Sequence, residues 1–281
     1  MFQIVQWPIG LQMAAMRDVL LIAAFIAIAS PASSLAASSA WLETDGGRVR
    51  LVTSGVPDGQ GALSGALEID LKQGWKTYWR DPGGSGVPPS LDVSASPNIA
   101  SAELSFPAPE RFDDGYARWA GYKHSVTLPV TFIVKAPAEP AKIEAKIFLG
   151  VCETICIPVQ GQLTVDPASD RNDAADAAVV QAALAALPLP ANPEFGLFKL
   201  RSDPSMLVVE ARLPDQARHA DLFIASEHGY VFGIPEGQEK DGKILFSVPI
   251  QERPATAPAE GALHYTLVTD SGSVDGTLPF P

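Results

Sequence analysis

Ile143-Glu144-Ala145-Lys146-Ile147-Phe148-Leu149-Gly150-Val151-Cys152-Glu153-Thr154-Ile155-Cys156-Ile157-Pro158-Val159-Gln160-Gly161-Gln162-Leu163-Thr164-Val165 is the stretch on which the reading of this chain turns. Ile143, Ala145, Ile147 and Leu149 recur at every second position, as do Leu163 and Val165. Side chains two apart lie on one face of an extended chain, so the pattern predicts two half-buried strands. Between them stand the only two cysteines of the sequence, Cys152 and Cys156. A hairpin between the two strands can bring the thiols together.

The same period of two recurs to either side. Val49/Leu51/Thr53, Leu67/Ile69/Leu71 and Ser125 to Val134 read as further strands. Asp81-Pro82-Gly83-Gly84 and Pro107-Ala108-Pro109 cannot continue a ladder and mark turns or long loops. No strand–helix–strand alternation is visible, so a sandwich is expected and a parallel sheet is not. The pattern breaks over residues 167–194, where Asp170, Asn172 and Asp173 offer caps, Ala174 to Leu187 is Ala-rich, and Pro188, Pro190 and Pro193 follow. This segment predicts one short helix and a linker. From Phe195 to Pro281 strand patterns resume (Leu197 to Leu200, Met206 to Leu213, Leu222 to Ala225, Ile244 to Val248, Leu263 to Val268), predicting a second β-sandwich-like domain. The fold class is all-β, which suits a chain of 281 residues with 25 prolines.

A formal net charge of −12 excludes nucleic acid as a partner, because a phosphate backbone calls for clustered Lys and Arg. Val19 to Ile28 is strongly apolar, follows Met16-Arg17 and precedes Pro31 and a small-residue run with Ala36, Ala37 and Ala40. That layout is a cleaved secretory signal over residues 1–37, and its apolar core is too short for a membrane-spanning helix, which needs about 20 residues. The absence of Cys near the cleavage site excludes a lipoprotein. Residues 1–15 are uncharged and Met16 makes a better signal start. Export puts the thiols in an oxidising compartment, where a close thiol pair oxidises unless something reduces it.

Two readings of that pair stay open on the residues alone. As a structural staple, closing a loop of about five residues is worth only ~2 kcal/mol, against ~4–5 kcal/mol for a loop of a hundred. As a redox pair, a short loop makes the bridge easier to reduce. Zinc lacks four ligands, since the nearest histidine in sequence is His124 and it has no paired spacing. Copper through two thiolates and a Met is the remaining metal reading. A thioredoxin fold is disfavoured, because its C-x-x-C pair sits at a helix N-terminus. Gly83-Gly84-Ser85-Gly86 runs into Pro88-Pro89 and reads as a turn, not a phosphate cradle. His124, His219, His228 and His264 are scattered, and the Asp113-Asp114 pair reads as solvated unless it belongs to the thiol site.

A set of motifs adds to this. Gly74-Trp75-Lys76-Thr77-Tyr78-Trp79-Arg80-Asp81-Pro82-Gly83, Phe106-Pro107-Ala108-Pro109, Gly121-Tyr122, Thr127-Leu128-Pro129-Val130 and Gly150-Val151-Cys152 through Cys156-Ile157-Pro158 together resemble the periplasmic N-terminal (alpha) domain of the DsbD thiol:disulfide interchange proteins. The likeness covers residues 41–166 and is greatest to the ScsB branch, associated with copper tolerance. It implies an immunoglobulin-like sandwich over residues 38–166 that passes reducing equivalents to a thioredoxin-like periplasmic protein. The activity it implies is that of a protein-disulfide reductase component, with no cofactor. It implies Cys156 as the attacking thiol and Cys152 as the resolving one. It also implies a cap: Asp113 and Asp114 fall on the family's acidic cap positions, Gly115 falls on its aromatic, and Phe112, Tyr116 and Trp119 are the candidate substitutes. Tyr78 matches a tyrosine near the family's site, although Trp75, Tyr78, Trp79, Tyr116 and Trp119 all also read as ordinary sandwich core. The cysteine spacing here is shorter than the family's. No hydrophobic segment follows the β domains, so the membrane-embedded electron donor is expected to be a separate polypeptide. The other reading is a non-catalytic binding module, for protein or copper, with a structural disulfide.

Overall fold

The computed structural model describes residues 37–281, apart from 84–85, 114, 116–117, 171–172, 227, 241–242 and 257, and only the backbone at 199, 200 and 240. The expected signal segment thus lies outside the described residues up to Ala37, which is buried and accepts hydrogen bonds from the Thr53 amide and hydroxyl, both at 3.0 Å.

Eleven strands build the first domain: β1 Leu42–Thr44, β2 Gly47–Thr53, β3 Ala62–Leu71, β4 Lys76–Tyr78, β5 Ser90–Asp92, β6 Ile99–Leu104, β7 Glu110–Asp113, β8 Arg118–Tyr122, β9 Val126–Val134, β10 Ile143–Cys152 and β11 Cys156–Val165. They form two antiparallel sheets, ordered β1-β2-β3-β9-β6 and β11-β10-β4-β8-β7, with β5 also pairing β10. The alternation read from the sequence decides which residues meet between the sheets. Val49, Leu51, Leu67 and Ile69 from the first pack against Ile143, Ala145, Ile147 and Leu149 from the second, and all are buried. An immunoglobulin-like sandwich results, because each sheet has one apolar face to cover. Trp79, just past β4, fills this core with its ring.

The helix α1, Ala174–Ala185, starts at Asp173, whose carboxylate accepts from the Ala175 and Asp176 amides and satisfies two of the free N–H groups of the first turn. The segment expected as a linker is closely packed: Val180 and Ala183 lie on Val52 and Ala66 of the first sheet. Beyond it come β12 Leu189–Pro190, β13 Gly196–Ser202, β14 Met206–Arg212, β15 Ala220–Ile224, β16 Val231–Phe232, β17 Glu236–Lys240, β18 Lys243–Glu252, β19 Leu263–Thr269 and β20 Gly272–Leu278. These make two sheets, β12-β20-β19-β15 and β13-β14-β18-β16, with β17 added on β18. Leu207, Val209, Phe246, Val248, Leu222 and Leu267 form their own core. Among the described residues no helix is long and apolar enough to cross a membrane.

The two cores meet at one end. Phe223 of β15 leaves its own domain and joins the core of the first, where its ring meets Trp79 edge-on at 5.8 Å. Polar contacts surround this plug. Arg111 of β7 donates to both carboxylate oxygens of Asp221 and to the Leu222 carbonyl, and the Ser226 amide donates to Asp81 at 2.5 Å.

Candidate functional site

The β10–β11 hairpin pairs ten residues of each strand in unbroken register, from Ile143 opposite Val165 to Cys152 opposite Cys156. Glu153, Thr154 and Ile155 make the turn, and all three are exposed, Ile155 by 69%. Cys152 and Cys156 face each other at the last rung, with Cα atoms 4.1 Å apart, and are joined in a disulfide. The two sulfurs are not equivalent: Cys152 is 6% exposed, whereas Cys156, on the outermost strand of its sheet, is open to solvent. A thiol-bearing reagent or protein therefore meets Cys156 first.

Alternation along β10 sends Leu149 and Val151 inward and Gly150 and Cys152 to the outer face. On that face lies Tyr78, brought there because β4 pairs with β10, Thr77 opposite Val151, and is tied by the Thr77 hydroxyl to the Gly150 carbonyl at 2.8 Å. The Tyr78 hydroxyl is 2.9 Å from Cys156 Sγ and 3.0 Å from Cys152 Sγ. Bonded to each other, the sulfurs carry no hydrogen, so the phenol O–H is the donor to this pair. A phenol so placed can stabilise negative charge on either sulfur when the bridge opens.

Tyr78 is 4% exposed and is held by aromatic neighbours. Trp119 of β8 meets its ring edge-on at 5.3 Å, and Phe112 of β7, directly across the ladder from Trp119, stacks on the indole at 4.2 Å. Lys76 also lies over the indole, its Nζ 5.4 Å from the ring centroid. Tyr78, Trp119 and Cys152 thus form one buried cluster, with Val87 and Phe112 against it.

Five expected site residues are therefore brought together: Cys152, Cys156, Tyr78, Phe112 and Trp119. Asp113 instead closes the β7–β8 connection, with its carboxylate accepting from Arg118 Nε at 2.8 Å and from the Gly115 amide at 2.9 Å. Asp114 and Tyr116 lie outside the described residues. Gly115 has φ of 83°, a left-handed backbone that a side chain strains, which accounts for glycine where the family's aromatic was expected. Trp75 and Trp79 lie elsewhere: Trp75 packs over Gly46, and Trp79 belongs to the core. Among the described residues no group of three or more His, Cys, Asp and Glu side chains is placed to hold a metal ion.

Residues 54–167 match the family model described as thiol:disulfide interchange protein DsbD, N-terminal. This segment is similar to the DsbD N-terminal family. The chain is also similar in fold to the N-terminal periplasmic domain of ScsB from Proteus mirabilis. The TM-score is 0.68 and the identity 22%, over 88% of this chain and 100% of that one. The likeness therefore takes in the second β domain as well as the first. No curated protein matches the chain.

Within this DsbD-like segment, two site residues escaped the sequence reading. A Cβ on Gly150 would stand 2.9 Å from the Tyr78 ring and 3.1 Å from Val87, so this glycine is the floor on which Tyr78 rests. A glycine inside an otherwise alternating apolar strand was the available signal. Lys76 pairs with Cys152 across the β4–β10 ladder, and only the long-range pairing reveals it. Tyr122, part of the recognised motif, is an anchor: burial pushes its phenol well above the usual range, and its O–H donates to the Pro107 carbonyl at 2.8 Å.

Proposed function

We propose that this protein is a periplasmic thiol–disulfide exchange protein that hands two electrons to a thioredoxin-like partner through Cys156 and Cys152. The observation that carries this reading is the asymmetry of the pair: one sulfur faces solvent, the other is buried, and one phenol reaches both. In the dithiol form, the Cys156 thiolate attacks a sulfur of the partner's disulfide. An S–S bond forms between the proteins and one partner sulfur leaves as thiolate. The Cys152 thiolate then attacks Cys156 Sγ, closes the intramolecular bridge and releases the second partner sulfur. The partner gains two electrons, and the disulfide form seen here is left. A membrane-embedded donor restores the dithiol. The small loop closed by the bridge favours this cycle over a stapling role, since little stability depends on it.

Trapping tests the order of attack. With Cys152→Ser the second step is blocked, so Cys156 should hold a thioredoxin-like envelope protein in a mixed disulfide that a reductant releases. Cys156→Ser should hold none. Equal capture by both variants, or by neither, overturns the assignment.

A further inference from the structure

The aromatic cluster that buries Tyr78 and Cys152 hangs on the edge of its sheet. β7 is an outermost strand of only four residues, paired on one side by β8. A strand that short, with one free edge, frays easily unless something else holds it. Successive residues of β7 face opposite ways. Phe112 turns outward and stacks on Trp119, while Arg111 turns toward the second β domain. There its Nε donates to Asp221 Oδ2 at 3.0 Å, and its Nη2 to Asp221 Oδ1 at 3.0 Å and to the Leu222 carbonyl at 2.9 Å. The guanidinium also lies over the Phe223 ring, 4.5 Å from its centroid.

This is a two-pronged, charge-assisted grip, and the planar guanidinium fixes direction as well as distance. A second tie lies just beyond β4, where Asp81 accepts from the Ser226 amide. A small pocket of about 50 Å³ is lined by Trp119 and Ala120 from the first domain and by Phe223, Ile224 and Gly233 from the second, so the second domain lies next to Trp119.

We infer that the second β domain acts as a buttress for the redox site, with Arg111 and Asp221 as positioning residues that keep Phe112 and Trp119 packed against Tyr78 and Cys152. The inference rests on the exchange reading for its purpose, since shielding matters to a pair that waits for a partner. Its contacts are independent of that reading.

The test measures how fast iodoacetamide alkylates the buried Cys152 thiol in the full chain, in a Cys156→Ser background. This reagent needs access to Cys152 but no partner protein. Arg111→Ala and Asp221→Ala should each speed alkylation about fivefold, the effect of losing an ion pair worth about 1 kcal/mol. The double variant should react no faster than either single one, because both break the same contact. Asp221→Asn, which keeps the shape and loses the charge, should fall between. Arg253→Ala removes bonds to the Asp203, Pro204 and Pro281 carbonyls far from the clamp, and should leave the rate unchanged. Unchanged rates in the clamp variants overturn the inference, as does an equal acceleration by Arg253→Ala. Failure of Cys152→Ser to trap a partner would remove the exchange reading and leave this result standing.

Discussion

Removing one oxygen atom should reveal what Tyr78 does. Tyr78→Phe keeps the ring that packs on Trp119 and Gly150 but deletes the hydroxyl 2.9 Å from Cys156 Sγ and 3.0 Å from Cys152 Sγ. Toward a thiolate, an O–H donor makes a charge-assisted bond, and such bonds contribute about 1.5–3 kcal/mol. Sulfur accepts weakly, so we take the low end, at which the midpoint of thiolate formation rises by about one pH unit. Two effects then oppose each other. Below the midpoint the variant holds about tenfold less thiolate, but each thiolate is more basic and attacks faster, with a Brønsted slope of about 0.4–0.5. The net result is a rate about threefold to fourfold lower below the midpoint and about threefold higher well above it. The assay is iodoacetamide alkylation across pH in a Cys152→Ser background, which leaves one thiol to follow. Crossing rate profiles are expected. Coincident profiles, or a midpoint that moves down, would refute a hydrogen bond to the attacking sulfur.

Two other changes probe the support of the site and of the fold. Gly150→Ala places a methyl group 2.9 Å from the Tyr78 ring, and overpacking of this kind costs about 1–3 kcal/mol. Thermal unfolding should fall by about 2–4 °C for each kcal/mol, and the Tyr78→Phe rate pattern should appear in part because the phenol is displaced. Asp176, in the first turn of α1, is buried, and burial first, then the neighbouring Asp173, raises its carboxyl above 3.8. The folded protein therefore favours the protonated form. That contribution is present below the unfolded value of 3.8 and is lost as pH rises through the folded value. Asp176→Asn should gain stability over the parent at neutral pH, with the difference shrinking toward pH 4 in urea titrations; a pH-independent difference would contradict the assignment.

How much of this was legible in the sequence follows the range of the interactions. The β10–β11 hairpin could be read directly, because both strands, the turn and both cysteines lie within Ile143–Val165 and the period of two carries the register. Strands such as β3 and β9 were legible for the same reason. Tyr78 could be placed near the sulfurs only through a family motif, since its approach depends on β4 meeting β10 some seventy residues later in the chain, as the Tyr78–Cys152 separation of 74 records. Phe112 and Trp119 were two of three aromatic candidates, and only their cross-strand pairing shows that they stack on each other. The packing of α1 was hidden because Ala on nearly every face leaves no apolar stripe to read. Phe223 lies within Leu222 to Ala225, read from the sequence as a strand of the second domain. That it fills the neighbour's core depends on a contact between elements far apart in sequence.

The bridge joins two residues that already sit across from each other on the final rung of a ten-step ladder. Cutting it would free no segment of backbone beyond the three-residue turn, so on the proposed exchange reading the dithiol and disulfide forms are expected to share one backbone shape. On that reading, a partner would tell the two forms apart by the sulfurs, the phenol beside them and the solvent-facing turn.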